Sequence, residues 1–120
     1  MVAEFMERFI GAWCARDVDA IMDCFCEDAE YINMPMDPPN RGSIEIRNFI
    51  DGFISTIEAI EFIVHRQLVD GDTVMNERTD RLKINGQWVE LPVMGVFELR
   101  DGKIAKWRDY FDMAPFSQAQ

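Results

Sequence analysis

Arg78-x-Asp80 and Asp109 place one guanidinium and two carboxyl groups where the surrounding pattern calls for apolar side chains. From Thr73 to Ile84 the residues alternate. Glu77, Thr79, Arg81 and Lys83 suit water, while Val74, Asn76, Arg78, Asp80, Leu82 and Ile84 share the other face, apolar at both ends. Near the C-terminus Lys106 and Arg108 point one way, and Ala105, Trp107, Asp109 and Phe111 the other. A shorter run puts Ala29, Tyr31 and Asn33 on one side. An unpaired buried carboxylate costs several kcal/mol, so such groups must pair or titrate. Two aspartates and one arginine carry one net negative charge, and one added proton makes the trio neutral. An apolar setting favours the neutral state, which is a carboxylic acid beside a carboxylate. That pair can give a proton to one atom of a substrate and take one from another in a single step.

Arg78 works against this arrangement, because a nearby cation lowers the pKa of a carboxyl group. Burial and repulsion from Asp109 must outweigh it if Asp80 is to hold the proton. The same residues are equally compatible with a structural salt bridge between Arg78 and Asp80 that orders a sheet, with Asp109 capping a loop or touching solvent.

The elements that would carry these residues follow from periodicity. Val2 to Ala15 has Phe5, Phe9, Ala12 and Trp13 at helical spacing. Asp17 is placed to cap a short helix from Val18 to Phe25, with Ile21 and Phe25 inward. Glu30 to Met34 alternates as a strand, and the proline-rich segment from Pro35 to Asn40 must be a loop. Ser43 is expected to cap a third helix to about Ile57, with Ile46, Phe49, Ile50, Phe53 and Ile57 inward. The period then becomes two, giving strands over Glu61–Val69, Thr73–Ile84, Trp88–Arg100 and Lys103–Asp112. Asp70-Gly71-Asp72, Asn85-Gly86 and Asp101-Gly102 supply the turns. Helices followed by a meander of strands predict one α+β domain over residues 1–120, a curved mixed or antiparallel sheet covered by three N-terminal helices. Such a cone offers a pocket at its mouth.

Composition limits the partners. The chain has 120 residues, 48% of them hydrophobic, and a formal net charge of -10. That acidity argues against nucleic acid, whose phosphates need cationic partners, and against anionic lipid. No apolar run approaches the roughly 20 residues that span a bilayer. Glu4 and Glu7 stand where an export signal would carry only positive charge, so a cytoplasmic protein is expected. Cys14, Cys24 and Cys26 read as buried, reduced thiols on helical segments. With no His or Cys cluster at ligand spacing, no metal or other cofactor is expected, and no Gly-x-Ser-x-Gly elbow is present.

Tyr31-x-Asn33, Arg78-x-Asp80 and Asp109 together resemble the active-site set of the limonene-1,2-epoxide hydrolase family in order and approximate spacing. The strings Asn76-Glu77-Arg78-Thr79-Asp80 and Trp107-Arg108-Asp109-Tyr110-Phe111-Asp112 are similar as well. The resemblance runs from the first helix to Asp112, although this chain begins almost at that helix, where some members carry an extra stretch. It implies the cystatin-like cone shared with nuclear transport factor 2 and ketosteroid isomerase, and a homodimer. It also implies roles: Asp109 as general base toward a water held by Tyr31 and Asn33, Asp80 as general acid toward the epoxide oxygen, and Arg78 between the carboxylates. The substrate would be a small apolar epoxide and the product a vicinal diol.

The pocket wall is expected from Leu82, Leu91, Val93, Phe111, Phe53, Ile57 and Phe116, each of which also suits an ordinary core. Trp107 fits the core better than a ligand platform, and the lone His65 fits a structural role on a strand outside the motif. Two rivals remain at this level. One is an isomerase of the ketosteroid type, which also wants a carboxylate base and a protonated acid. The other is a binding module without catalysis.

Overall fold

Helix α1 (Val2–Cys14) buries Phe5, Met6, Phe9, Ala12 and Trp13, the apolar stripe of the sequence. The structure, a computed structural model, describes residues 1–36 and 38–118. Asp37, part of the expected proline-rich loop, and residues 119–120 at the end of the expected domain lie outside the described residues. Helix α2 (Val18–Met22) is capped as expected, the Asp17 carboxylate accepting from the Ala20 backbone N–H at 3.1 Å. It stops short of the expected Phe25, which instead opens strand β1 (Phe25–Asn33). Phe25 pairs with Ile104, and the Ile104 N–H donates to the Cys24 carbonyl. A short helix gains little from one more turn, so the ladder prevails.

Strand β1 is longer than the expected Glu30–Met34 because its register shifts between Phe25 and Glu30, which hides the alternation. The loop leads into a two-residue strand, β2 (Asn40–Arg41), paired with β1. Helix α3 (Gly42–Ser55) begins before Ser43, so Ser43 is not its cap. Gly42 takes a left-handed φ of +84°, open to glycine, and Arg41 holds the cap position with its N–H donating to Glu45 Oε1 at 3.0 Å. Ile46, Ile50 and Ile54 face the core, and Ile57 is buried just beyond the helix end.

Four long strands follow: β3 (Ala59–Asp70), β4 (Thr73–Ile84), β5 (Gln87–Arg100) and β6 (Lys103–Tyr110), then a short helix α4 (Ala114–Gln118). The turns at Asn85-Gly86 and Asp101-Gly102 have positive φ at both residues, the form that matches strand twist. The sheet order is β2-β1-β6-β5-β4-β3, with β1 and β6 parallel and the remaining pairs antiparallel. The molecule is thus the expected α+β architecture, a curved mixed sheet with helices over one face.

Two bulges correct the strand reading. Ala105 was expected inward with Trp107, but Leu99 pairs with Ile104 and Glu98 with Lys106, leaving Ala105 as the extra residue. Ile104 takes the inward place and is fully buried. His65 is likewise skipped between Val64 and Arg66, is exposed, and has Nε2 2.8 Å from Thr79 Oγ1. The cysteines are free, but only Cys24 is buried; Cys14 is exposed at the end of α1 and Cys26 is half-buried on β1. Among the described residues no helix is long and apolar enough to cross a membrane.

Candidate active site

The inward face of β4 carries Asn76, Arg78 and Asp80, all buried. Two ladders decide what meets them. Gly95 on β5 stands opposite both Asn76 and Asp109, and Asn33 on β1 stands beside Asp109 on β6. The parallel β1–β6 pairing also brings Tyr31 beside Trp107, where their rings stack at 4.2 Å and 7°. Residues far apart in sequence so converge on one patch of sheet.

Arg78 is the hub. Its Nε donates to Asp80 Oδ1 at 2.9 Å and its Nη2 to Asp80 Oδ2 at 3.1 Å. The same Nη2 donates to Asp109 Oδ2 at 2.7 Å, and Nη1 donates to Asn76 Oδ1 at 2.9 Å. Asp109 Oδ1 accepts from the Trp107 indole N–H at 2.6 Å. Side-chain exposure is 0% for Arg78, 8% for Asp80 and 5% for Asp109. A lone Arg78–Asp80 bridge with Asp109 on a loop or in solvent is therefore not what forms: one guanidinium ties both carboxylates.

Above them lies a cavity of about 680 Å³ with Asp80, Asp109, Tyr31 and Asn33 as its polar floor. Leu82, Leu91, Phe111, Phe53, Ile57 and Phe116 line it as expected. Val93 does not. It stands opposite Arg78 on the β4–β5 ladder, and both are sealed behind the two carboxylates. The sequence did not flag Trp13, Met36, Phe49, Phe62, Ile84 or Met113, which complete the apolar wall. The helical or alternating spacing of Trp13, Phe49, Phe62 and Ile84 does not show that they border a void, and Met36 and Met113 lie outside any helix or strand, where no period marks them. Asn48, Gly52 and Thr56 from α3 line it as well.

The electrostatics of the floor are asymmetric. Burial pushes the Asp80 carboxyl upward from its ordinary value, the charge and hydrogen bonds of Arg78 pull it down without cancelling that rise, and the negative charge of Asp109 adds to it. Burial alone would weaken the hold of Arg78 on its proton, but the charges of Asp109 and Asp80 more than offset it, so Arg78 stays a cation. Burial and the charge of Asp109 raise Tyr31, which stays a neutral phenol. The site thus holds a carboxyl with an enhanced grip on its proton, a second carboxylate on the same arginine, and two neutral polar groups beside it. Such a set can donate and accept protons within one small volume. Among the described residues no group of three His, Cys, Asp or Glu side chains is arranged to hold a metal ion.

Residues 2–119 match the limonene-1,2-epoxide hydrolase catalytic domain. The chain belongs to that family. The epoxide hydrolase EphG of Mycobacterium tuberculosis is 34% identical over 110 residues, 90% of this chain and 71% of that protein. The solved structure of an M. tuberculosis LEH-like epoxide hydrolase superposes with a TM-score of 0.84 at 32% identity, covering 98% of this chain and 86% of that one. A SnoaL-like polyketide cyclase candidate from Shewanella denitrificans has a TM-score of 0.88, but at 14% identity over 99% of this chain and 98% of its own it speaks only to the fold. The limonene-1,2-epoxide hydrolase family is one of epoxide hydrolases on the cone shared with SnoaL-like proteins, as the sequence resemblance implied.

Proposed function

We propose that this protein adds water to an epoxide, limonene-1,2-epoxide or another cyclic or terpenoid epoxide, to give a vicinal diol in one step and with no cofactor. The observation that carries the reading is the sharing of one buried Arg78 by two carboxylates at the floor of an apolar cavity. The substrate lies in the cavity with its ring oxygen toward Asp80. Tyr31 and Asn33 hold a water against Asp109. Asp109 removes a proton from that water as its oxygen bonds to one epoxide carbon; the carbon–oxygen bond breaks, and Asp80 delivers its proton to the departing oxygen. A fixed water meets its target without the entropic cost of a bimolecular encounter. Afterwards Asp109 holds the proton that Asp80 lacks, and exchange with water in the open cavity restores the start. Ring strain makes a push and a pull sufficient, without a covalent ester.

Leu82, Leu91, Phe111, Phe53, Ile57 and Phe116 hold the apolar part of the substrate in this reading. Among the described residues the wall carries no cation for a phosphorylated or acidic molecule, which supports a neutral substrate. We further propose a homodimer formed through the outer face of the sheet, where Leu68, Met75, Met94 and Tyr110 are exposed large apolar groups. A cytoplasmic location fits the three unpaired cysteines.

The test is incubation of the purified protein with limonene-1,2-epoxide and simple cyclic epoxides, without added metal or nucleotide. Diol from at least one of them is the expected result. No diol from any of them returns the site to an isomerase or a binding module. A single turnover in heavy-oxygen water should label the diol and leave the protein carboxylates unlabelled.

A further inference from the structure

Arg78 does not border the cavity, so whatever it contributes is exerted on the carboxylates that do. Its reach is unusual. The guanidinium starts on β4, crosses the inward face of β5 and ends against Asp109 on β6. The residue it crosses is Gly95, whose backbone needs no positive φ. What matters there is space. A Cβ on Gly95 would lie 2.5 Å from Arg78 Nη1, 2.8 Å from Asp109 Oδ1 and 3.1 Å from Asn76 Oδ1. All three atoms belong to the hydrogen-bonded floor, so a methyl group would displace the ion cluster itself.

Asn76 closes the other side. Its Oδ1 accepts from Arg78 Nη1 at 2.9 Å, and its Nδ2 donates to Gln67 Oε1 on β3 at 3.3 Å. Gln67 therefore fixes which way the amide faces, and the amide oxygen fixes the plane of the guanidinium. Asn76 is neutral, so it holds Arg78 without adding a third carboxylate.

We propose that Gly95 and Asn76 are positioning residues for the acid–base pair: Gly95 opens the lane by which one arginine reaches both carboxylates, and Asn76 sets its orientation. The kinetic part rests on the epoxide-hydrolase reading. The titration part does not. The charged and titratable groups facing Asp80 are Arg78 on its own strand, Asp109 from β6 and Tyr31 from β1; β3 and β5 contribute neutral Gln67, Phe62, Leu91 and Gly95. From α1 and α3 come Trp13, Asn48, Phe49, Phe53 and Thr56, none of which carries charge.

The experiment compares Gly95→Ala, Asn76→Leu and Asn76→Asp with the parent by thermal melting, steady-state kinetics and carboxyl carbon NMR of Asp80 against pH. Gly95→Ala should lower kcat about a hundredfold, the scale of an ångström-sized misplacement of reacting groups, with KM changed less than about threefold. Asn76→Leu should lower kcat about tenfold to a hundredfold at unchanged KM, the size of a lost hydrogen bond to a charged group. Asn76→Asp keeps the acceptor and adds a negative charge, so the Asp80 titration and the alkaline limb of the rate profile should both move to higher pH. Folded Gly95→Ala and Asn76→Leu with parental kcat would overturn the proposal. If Gly95→Ala does not fold, an Asp80 titration in Asn76→Leu and Asn76→Asp identical to the parent overturns it. If the parent opens no epoxide, the functional reading falls while the titrations still decide the positioning roles.

Discussion

Arg78 and Arg81 stand three residues apart on β4, and each holds two carboxylates. Arg78 binds Asp80 and Asp109 on the inner face, and Arg81 binds Glu61 and Glu90 on the outer face. An odd spacing on a strand sends them to opposite sides of the sheet. The inner trio is sealed, with no part of the Arg78 side chain exposed. The Arg81 side chain is 27% exposed and its partners 49% and 65%, with its guanidinium also resting over Trp88 at 4.4 Å. Drawn as charges the two clusters are alike. Water makes them different. Outside, the partners of Arg81 are largely exposed, and solvent weakens the attraction between the charges. Inside, the loss of solvent couples the three groups, so a proton on one changes the energy of the others. On the proposed reading, the Asp–Arg–Asp arrangement becomes acid–base machinery through its burial and not through its composition.

The comparison is broken most sharply by isosteric loss of charge. Asp80→Asn and Asp109→Asn should each lower diol formation by about a thousandfold or more, within the range of positioned acid–base groups, while circular dichroism shows an intact fold. Glu61→Gln and Glu90→Gln should leave the rate within about twofold. Turnover retained by either aspartate variant would erase the distinction between the two faces.

Stability gives the next largest contrast. Removing one member of a buried ion cluster typically costs about 3–5 kcal/mol, whereas an exposed pair is worth about 0–1 kcal/mol. Urea denaturation at neutral pH should therefore show Arg78→Met far less stable than Arg81→Met. Equal losses would mean that burial is not what separates the clusters.

The pH dependence sharpens the same point. The Asp80 carboxyl is raised by burial, so its proton persists to higher pH than that of an ordinary aspartate, and the rate should fall as pH rises through that raised value. The sign for stability agrees: the native state binds this proton more tightly than the unfolded chain does. Its contribution is fully present below the ordinary carboxyl range and is lost as pH rises toward the raised value. Since Arg78 pulls Asp80 down, Arg78→Met should carry the Asp80 titration further up, as carboxyl NMR would show. Arg81→Met should leave it in place.

Salt yields the smallest effect. Raising ionic strength from about 0.05 to about 0.5 M shortens the screening length severalfold and should remove most of the stability difference between the parent and Arg81→Met. The difference between the parent and Arg78→Met should persist, because ions do not enter the sealed trio.

Much of this was legible before any coordinates. The alternation across β4 assigned Asn76, Arg78, Asp80 and Leu82 to the buried face, and all four are buried. Ala29, Tyr31 and Asn33 share a buried side as read, and the Asn85-Gly86 and Asp101-Gly102 hairpins fall where their turn chemistry puts them. The reading failed where periodicity is interrupted. Phe25 looked helical because the register shift before Glu30 hides its strand, and Ala105 looked inward because a bulge inserts one residue beside Ile104. Gly95 had a signal that went unused: a glycine at an inward position between Val93 and Phe97 marks a close approach. Trp107 was read as core, and it is, but its indole N–H also donates to Asp109.

The sequence by itself determined which residues face inward, because side-chain alternation and helical spacing are local properties written in residue type. It also placed two carboxyl groups and one guanidinium on apolar faces, where such groups must pair or neutralise. Only the tertiary structure decided that one arginine reaches both carboxylates, that Val93 lies behind the cavity instead of on it, and that Asn76 and Gly95 complete the cluster. Those outcomes depend on the parallel pairing of β1 with β6 and on the register of β5 between β4 and β6. Register across strands distant in sequence is set by the packing of the whole sheet, and no local pattern encodes it.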